Sequence, residues 1–218
     1  MIKIIGITGV KGSGKDTAYS FIKLDFPQAI GLSLAGKLKE ICSEVFDIPI
    51  NFFHDQNLKE KELEELICLN DKNLNACISK YKSITDYNYD LHVRPLVGKI
   101  IFTPRQLLQT IGTDLLRNIN DEVHCNEIDL IINQNKTGIF VITDIRFLNE
   151  FDYFKSRHGS NFIPLYVKRD AAEINTDGHA SEQDIVKIGK MSTAILNNGT
   201  LEEFRARVLE STIVALAT

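Results

Sequence analysis

The chain has 218 residues, of which 44% are hydrophobic and 25% are charged, and its formal net charge is −4. This is a globular composition, and at roughly 100–200 residues per domain the length predicts one domain, 1–218, with room for an insertion. The charge excludes a strongly basic coat, and the sequence has no apolar run of about 18 residues, so we expect neither a nucleic acid polymer nor a membrane as partner.

The predicted elements alternate between strands and helices. Apolar, β-branched residues predict a buried strand over 2–8, and apolar positions three and four apart predict a helix from about Asp16 to Leu24. The later elements are a weak strand at 29–32, a helix capped by Ser33 and running to about Phe46, strands at 138–143, 162–167 and 192–196, and a last helix opened by a capping box from Thr200 to Glu203. This alternation predicts an α/β fold with a mostly parallel sheet between helices.

Another helix start is found at Thr103. Thr103 can cap the helix, Pro104 fits its first position, and Gln106 can complete a capping box. The stripe predicted to be buried is Leu108, Ile111 and Leu115. Before this helix, residues 50–100 are charged and then rich in Asn, Lys and Tyr, which predicts a mostly helical insertion with loops.

The turn between the first strand and the first helix carries the clearest chemical signal. Residues 9–15 match the GxxxxGK pattern of a P-loop, in which backbone N–H groups and the positive end of a helix bind phosphates. The expected fold is therefore a P-loop three-layer fold that binds ATP. The residues predicted to bind the nucleotide are Gly12, Ser13, Gly14, Lys15, Asp16 and Thr17. A chance glycine-rich turn is the alternative.

One position departs from the usual pattern. Asp16 follows Lys15 where a Ser or Thr is common, and the hydroxyl comes one residue later at Thr17. A carboxylate at this place can hold Mg²⁺, directly or through water, or it can orient Lys15, while Thr17 can bind the α-phosphate.

A second acidic residue follows the predicted strand at 138–143. Asp144 stands where P-loop proteins place a carboxylate that holds Mg²⁺, because ligands gather at the carboxyl ends of parallel strands. Arg146 is a candidate phosphate clamp, since its planar guanidinium binds phosphate through two hydrogen bonds, and Glu150 follows in the same segment. A helix cap at Asp144 and a surface arginine at 146 are the alternatives.

The helix that starts at Thr103 offers a candidate acceptor face. Arg105, Gln109 and Gly112 recur at i, i+4 and i+7, which suits a phosphate, a base edge and a close approach. Lys37 and Lys39 add positive charge near another helix start. A merely solvated polar face is the alternative.

The segment 168–181 is predicted to be a short lid, because phosphoryl transfer requires that water is excluded. Within this segment, Arg169 is the candidate for stabilising the phosphoryl group during transfer, whereas His179 has no clear role. The four cysteines form no CxxC pair, so we expect free thiols in a reducing cytoplasm.

Six blocks appear together in this order. They are residues 11–17 (KGSGKDT), 33–40 (SLAGKLKE), 103–109 (TPRQLLQ), 112–114 with Arg117 (GTD and R), 143–150 (TDIRFLNE) and 179–182 (HASE). In this set the chain resembles the deoxynucleoside monophosphate kinases of bacteriophages, a branch of the P-loop NMP-kinase superfamily. The tryptophan that this family has after the GT block is absent, and His124 stands in that region.

The resemblance implies transfer of the ATP γ-phosphoryl to a deoxynucleoside monophosphate (dNMP), giving ADP and dNDP, with Mg²⁺ as cofactor. It implies that Arg105, Gln109 and Arg146 bind the acceptor, with Lys39 joining them, and we add Gly112 and Glu150 to this set. Lys15, Arg146 and Arg169 are expected to neutralise the transferred group, while Asp16 and Asp144 hold the metal.

Several alternatives stay open at this point. The chain can be a P-loop kinase of another metabolite, such as dephospho-coenzyme A or phosphomevalonate, or a nucleotide-binding module without catalysis. The insertion can serve on the acceptor side or as a contact between copies in a homodimer. A phage-encoded enzyme would work in the host cytoplasm.

Overall fold

The computed structural model describes residues 1–173 and 180–217, without the side chains of residues 173 and 180–182. In chain order its elements are β1 (Ile2–Thr8), α1 (Lys15–Asp25), β2 (Ile30–Leu32), α2 (Gly36–Phe46), α3 (Gln56–Glu60), β3 (Ile67–Cys68), α4 (Asp71–Ser79), α5 (Tyr89–His92), β4 (Ile100–Ile101), α6 (Pro104–Gln109), a π-helical segment (Thr110–Arg117), α7 (Val123–Asn133), β5 (Gly138–Ile142), α8 (Leu148–His158), β6 (Phe162–Lys168), α9 (Asp170–Glu173), α10 (Ala180–Lys190), β7 (Thr193–Leu196) and α11 (Leu201–Ala217). Short 3₁₀ turns occur at Ile50–Phe53, Arg94–Leu96 and Gly159–Asn161.

The described residues divide into two compact units. The first consists of residues 1–34 and 128–218, and the second of residues 35–127. The insertion predicted at 50–100 therefore lies within a larger second unit that begins with α2. Whether the whole chain acts as one kinase domain stays a prediction.

The first unit is built on a parallel sheet. Among the described residues the sheet has five strands in the order β2-β5-β1-β6-β7, and Ile4 of β1 lies in register with Phe140 of β5 and Phe162 of β6. Side chains alternate between the two faces of a strand, so the apolar run of β1 must be covered on both sides. The predicted mostly parallel α/β fold is confirmed.

Helices cover both faces of this sheet. On one face, Ile5 and Ile7 of β1 pack with Ile22 of α1 and with Phe204 and Val208 of α11. On the other face, Phe162 of β6 packs with the aromatic rings of Phe151 and Phe154 of α8, and Tyr166 of β6 contacts Ile185 of α10. The predicted helical layers on either side of the sheet are therefore present.

The second unit is mostly helical. Its core is formed by α2, α4, α6 and the π-helical segment, and β3 pairs with β4 in an antiparallel ladder. Two buried cysteines, Cys42 and Cys77, belong to this core, and burial raises the pKa of Cys77 to about 12. All four cysteines are free thiols, as expected.

One local helix prediction is wrong, and another is confirmed only in part. Ser33 does not cap α2: the helix begins at Gly36, three residues later, so the Ser33 hydroxyl is too far along the chain to accept its first N–H groups. The predicted buried stripe after Thr103 is confirmed at Ile111 and Leu115, but Leu108 is only half-buried and its neighbour Leu107 is fully buried. The cap itself is confirmed, since Thr103 Oγ1 accepts the N–H of Gln106 at 3.1 Å.

Candidate active site

The glycine-rich loop between β1 and α1 is held in one backbone shape. Gly14 precedes α1 with φ of 105°, in the left-handed region that favours glycine. A Cβ on Gly14 would lie 2.5 Å from Nδ2 of Asn197, and one on Gly9 would lie 2.6 Å from the carbonyl oxygen of Val167. Larger residues are therefore excluded on conformational and steric grounds, and backbone N–H groups at the start of α1 can face an anion.

The ammonium of Lys15 rests on the loop itself. Its Nζ donates to the carbonyl oxygen of Gly9 at 2.7 Å and to that of Val10 at 3.1 Å. Burial lowers the pKa of Lys15, the carboxylates of Asp144 and Asp16 act in the opposite direction, and Arg146 lowers it further. Lys15 is thus a partly desolvated cation within the electric field of three of the predicted site residues.

The segment after β5 gives the two oxygens of Asp144 different environments. Oδ2 accepts hydrogen bonds from Arg146, from Nε at 2.8 Å and from Nη2 at 2.7 Å. Oδ1 is buried and has no hydrogen-bond partner in the part of the chain that the structure describes. A buried carboxylate oxygen without a partner is costly unless something binds it, and a hard cation is a suitable ligand.

The charge of Arg146 is strongly favoured at this position. Burial lowers the pKa of Arg146, but the hydrogen bond and the negative charge of Asp144 outweigh this effect, so the net pKa is raised. Glu150 and Asp16 add further negative potential. The guanidinium stays charged and has N–H groups in a fixed plane, as phosphate binding requires.

Glu150 holds the backbone of the segment that follows β5 and carries Arg146. Glu150 is only 2% exposed, and its Oε2 accepts hydrogen bonds from the backbone N–H groups of Arg146 at 2.9 Å and of Phe147 at 3.1 Å. The carboxylate thereby fixes the backbone that carries Arg146. Its predicted contact with the acceptor stays a prediction, and the geometry instead supports a positioning role.

A cleft of about 430 Å³ opens beside the phosphate loop. It brings together residues of the loop and α1 with residues that follow β6 and β7: Gly12, Gly14, Lys15, Asp16, Thr17, Arg169, Asn197, Gly199, Leu201 and Phe204. Arg169 is exposed and lines this cleft. The cleft combines cationic and backbone donors with the exposed apolar side chain of Leu201, which is chemistry that suits a nucleotide.

The structure describes Ser13 but not His179, two further residues that the sequence analysis named. His179 lies outside the described residues, as does the part of the predicted lid 168–181 between residues 174 and 179. Ser13, in contrast, is fully buried, and its Oγ has no hydrogen-bond partner among the described residues.

The four acceptor candidates Lys39, Arg105, Gln109 and Gly112 belong to the second unit. Arg105 forms an ion pair with Glu60, whereas Gln109 is exposed at the end of α6. Lys39 places positive charge near His54, whose pKa is lowered first by burial and then by the charge of Lys39.

The predicted i, i+4, i+7 alignment of Arg105, Gln109 and Gly112 on one helix face is interrupted after Gln109. Residues 110–117 are π-helical, and their wider turn does not keep the α-helical i+7 alignment with Arg105. A Cβ on Gly112 would lie 2.6 Å from Cδ2 of Leu38, so the close approach at this glycine is made by a core side chain. A role of Gly112 in binding the acceptor stays a prediction.

The sequence analysis missed a buried polar cluster in the second unit. Oε1 of Glu127 accepts from the N–H and hydroxyl of Ser83, at 3.1 and 3.0 Å, and its Oε2 pairs with Lys37. Lys37 lies 4.9 Å above the ring of Tyr81, whose hydroxyl is 3.4 Å from Nδ1 of His124. These partners are up to 90 residues apart, so no local pattern could have revealed them.

Comparisons with known proteins identify the family. The sequence profile of the deoxynucleotide monophosphate kinases matches residues 55–208, more than half of the chain. The chain belongs to the deoxynucleotide monophosphate kinase family. As a member of this family it is an enzyme, a phosphotransferase that acts on deoxynucleoside monophosphates with ATP as phosphate donor.

Individual relatives cover nearly the whole chain. A mimivirus protein (Acanthamoeba polyphaga mimivirus), provisionally named a deoxynucleotide monophosphate kinase, is 29% identical over 94% of this chain and 94% of its own length. The deoxynucleotide monophosphate kinase of Enterobacteria phage T4 is 25% identical over 95% of this chain and 97% of its own. Among solved structures, dephospho-CoA kinase from Campylobacter jejuni covers 100% of this chain and 99% of its own, with a TM-score of 0.48 and 12% identity.

The family assignment agrees with the resemblance found in the sequence. None of the helices described for this family member is long and apolar enough to cross a membrane.

Proposed function

We propose that the first unit binds ATP with its triphosphate in the glycine-rich loop, and that Lys15, Arg169 and Arg146 neutralise the γ-phosphoryl group during its transfer to a dNMP. The observation that carries this proposal is that charged side chains from several parts of the first unit lie around the glycine-rich loop. Lys15 lies within the field of Asp16, Asp144 and Arg146, and it shares a cleft with Arg169.

The donor side works through fixed dipoles and cations. The N–H groups at the start of α1 bind phosphate oxygens, and Lys15 leaves the loop carbonyls to meet the β- and γ-phosphates. This exchange is favourable because a partly desolvated ammonium gains more from a phosphate anion than from neutral carbonyls. The exposed side chain of Leu201 is suited to cover a base.

The acceptor side is divided between two kinds of groups. Arg146 provides a charged, oriented guanidinium for phosphate, and Glu150 holds its backbone. In the second unit, Arg105 and Lys39 bind the acceptor phosphate and Gln109 reads a base edge with its amide. The acceptor phosphate is already an anion, so its oxygen attacks the γ-phosphorus without a strong general base, and the bond to the β–γ bridging oxygen breaks to release ADP.

Mg²⁺ fits the residues of the first unit. The free Oδ1 of Asp144 and the exposed carboxylate of Asp16 supply hard oxygen donors, which Mg²⁺ prefers. The described residues contain no group of three or more His, Cys, Asp or Glu side chains placed to hold a metal. Mg²⁺ usually takes only one or two carboxylates together with phosphates, and when bound it would neutralise phosphate charge.

The decisive test is turnover of ATP with each common dNMP and NMP in parallel, followed by separation of the nucleotides. We expect ADP and the matching dNDP in equal amounts. Phosphorylation of dephospho-coenzyme A or phosphomevalonate alone, or ATP binding without a phosphorylated nucleotide, would contradict the proposal.

The metal assignment is tested with Asp144→Asn. The amide keeps the shape of the side chain but removes the charge, so the Mg²⁺ concentration for half-maximal rate should rise on the order of 10-fold or more. A Mg²⁺ titration equal to that of the wild type would remove Asp144 from the metal site.

A further inference from the structure

Asn197 ties the phosphate loop to the other end of the chain. It follows β7 directly, and its Nδ2 donates to the carbonyl oxygen of Ser13 at 2.8 Å. Its own backbone N–H donates to the carbonyl oxygen of Lys168 at the end of β6, also at 2.8 Å. One residue thus connects the carboxyl end of β7 with the end of β6 and with the loop that follows β1.

The contact restrains a peptide unit that matters for phosphate binding. In a trans peptide the C=O of one residue and the N–H of the next point in opposite directions, and the unit is planar. The structure contains no cis peptide in its described part. When Asn197 holds the Ser13 carbonyl on its side, the Gly14 N–H must therefore point away from Asn197.

We propose that Asn197 is a positioning residue that holds the Ser13–Gly14 peptide in the orientation that binds the donor's phosphates. This inference rests on the proposed ATP site. Asn197 acts through the loop, because it bonds a loop carbonyl and not a group that a phosphate would contact. Its amide donates a hydrogen bond to this carbonyl, which neither a carboxylate nor an alanine can do.

The packing around the contact supports this role. Nδ2 of Asn197 occupies the space beside the Gly14 Cα, so the amide and the left-handed glycine are matched to each other. A hydrogen bond within the loop restrains it further, since the Ser13 N–H donates to the Val10 carbonyl oxygen at 3.1 Å. Ser13 is fully buried, so its carbonyl would have little access to water as a replacement partner.

The test compares Asn197→Ala with Asn198→Ala as a matched control. Asn198 is the exposed neighbour, and its side chain pairs with Asp170 and not with the loop. For Asn197→Ala we expect the KM for ATP to rise about 10-fold or more, the loss typical of a buried hydrogen bond, while the KM for the dNMP stays within about twofold. Asn198→Ala should leave both values within about twofold of the wild type.

Inorganic tripolyphosphate distinguishes positioning of the loop from contact with the base. Tripolyphosphate has no base or ribose, so a residue that only contacts the base would not affect its binding. We expect Asn197→Ala to weaken tripolyphosphate and ATP by the same factor, measured by calorimetry on the full chain. Unchanged tripolyphosphate binding together with weaker ATP binding would overturn the proposal.

A second variant, Asn197→Asp, keeps the shape of the side chain if the alanine variant does not fold. As a carboxylate it accepts hydrogen bonds and donates none, so at pH 7 to 8 it cannot bond the Ser13 carbonyl and the KM for ATP should rise about 10-fold or more relative to wild type. An ATP KM within about twofold of the wild type in this variant would contradict the proposal. If wild-type protein makes no dNDP, the proposed function fails, whereas active wild type with an unchanged ATP KM in both variants overturns only the role of Asn197.

Discussion

The phosphate loop of the first unit and the acceptor candidates of the second unit are held in different ways. The loop is fixed through its backbone, by a left-handed Gly14 and by the bond from Asn197 to Ser13, while the buried Ser13 Oγ has no hydrogen-bond partner among the described residues. Arg105, in contrast, is a half-exposed side chain that is already paired with Glu60.

Under the proposed function, the difference explains how each side would recognise its nucleotide. A backbone site presents the same donors before and after binding, so it needs little reorganisation and suits the triphosphate that all reactions share. Side chains at a surface must first exchange partners, but they can be varied to suit different acceptors. Changes in the loop should therefore abolish the reaction, and changes on α6 should alter which acceptor is preferred.

The largest effect is expected for Lys15→Ala. Removing the cation that is proposed to meet the β- and γ-phosphates should lower kcat/KM by about 10³-fold or more, with the fold intact. Steady-state kinetics and a thermal melt check both parts. A near-normal rate in folded protein would show that the loop does not act as proposed.

The next largest effect is expected on the free energy of unfolding, which should depend on pH through His124 in the buried polar cluster of the second unit. Burial is the main cause that lowers the pKa of His124 to about 4, with the charge of Arg117 as a further cause. The unfolded chain takes up a proton near pH 6.5 and the folded one does not, so stability should fall as the pH drops from 6.5 towards 4. The loss should be on the order of 2–3 kcal/mol at pH 4.

His124→Gln isolates this contribution because glutamine does not titrate. Urea unfolding at several pH values should show a shallower loss of stability below pH 6.5 in the variant than in wild type. Equal slopes in the two proteins would show that His124 titrates normally in the folded state.

A smaller effect is expected for Arg105→Ala. The KM for the dNMP should rise on the order of 10-fold while the KM for ATP stays constant, because one charge-assisted contact is lost on the acceptor side only. Glu60→Gln is the matched control: it removes the competing partner of Arg105 and should leave the dNMP KM equal or lower. An increase of the ATP KM in Arg105→Ala would break the division between donor and acceptor residues.

The smallest effect is expected for Gln109→Ala. Its exposed amide is proposed to read a base edge, so the relative kcat/KM among the common dNMPs should change by about 5- to 10-fold, with a smaller change in the maximal rate. The four dNMPs measured in competition give this ratio directly. An unchanged preference would remove Gln109 from base recognition.

The local parts of this structure could be predicted because their causes lie within a few residues. The strand at 2–8, the loop with its following helix, the Thr103 cap and the capping box from Thr200 to Glu203 are all confirmed. In each case apolar periodicity or a side chain three residues away determines the backbone.

The prediction that is confirmed only in part depends on packing. The Leu108 stripe assumed a regular α-helix, but the chain takes up a π-helical segment from Thr110, and Leu107 is the buried residue. Helix propensity does not distinguish these neighbouring leucines. The difference arises where the segment packs into the core of the second unit.

The sequence by itself determined the family, the alternation of strands and helices, and the residue types of a phosphate site, because these depend on short motifs and periodic patterns. Only the tertiary structure decided how the two oxygens of Asp144 are used and which residue restrains the loop. Ser13 and Asn197 are 184 residues apart, and such partners meet only when the strands of the sheet have been assembled.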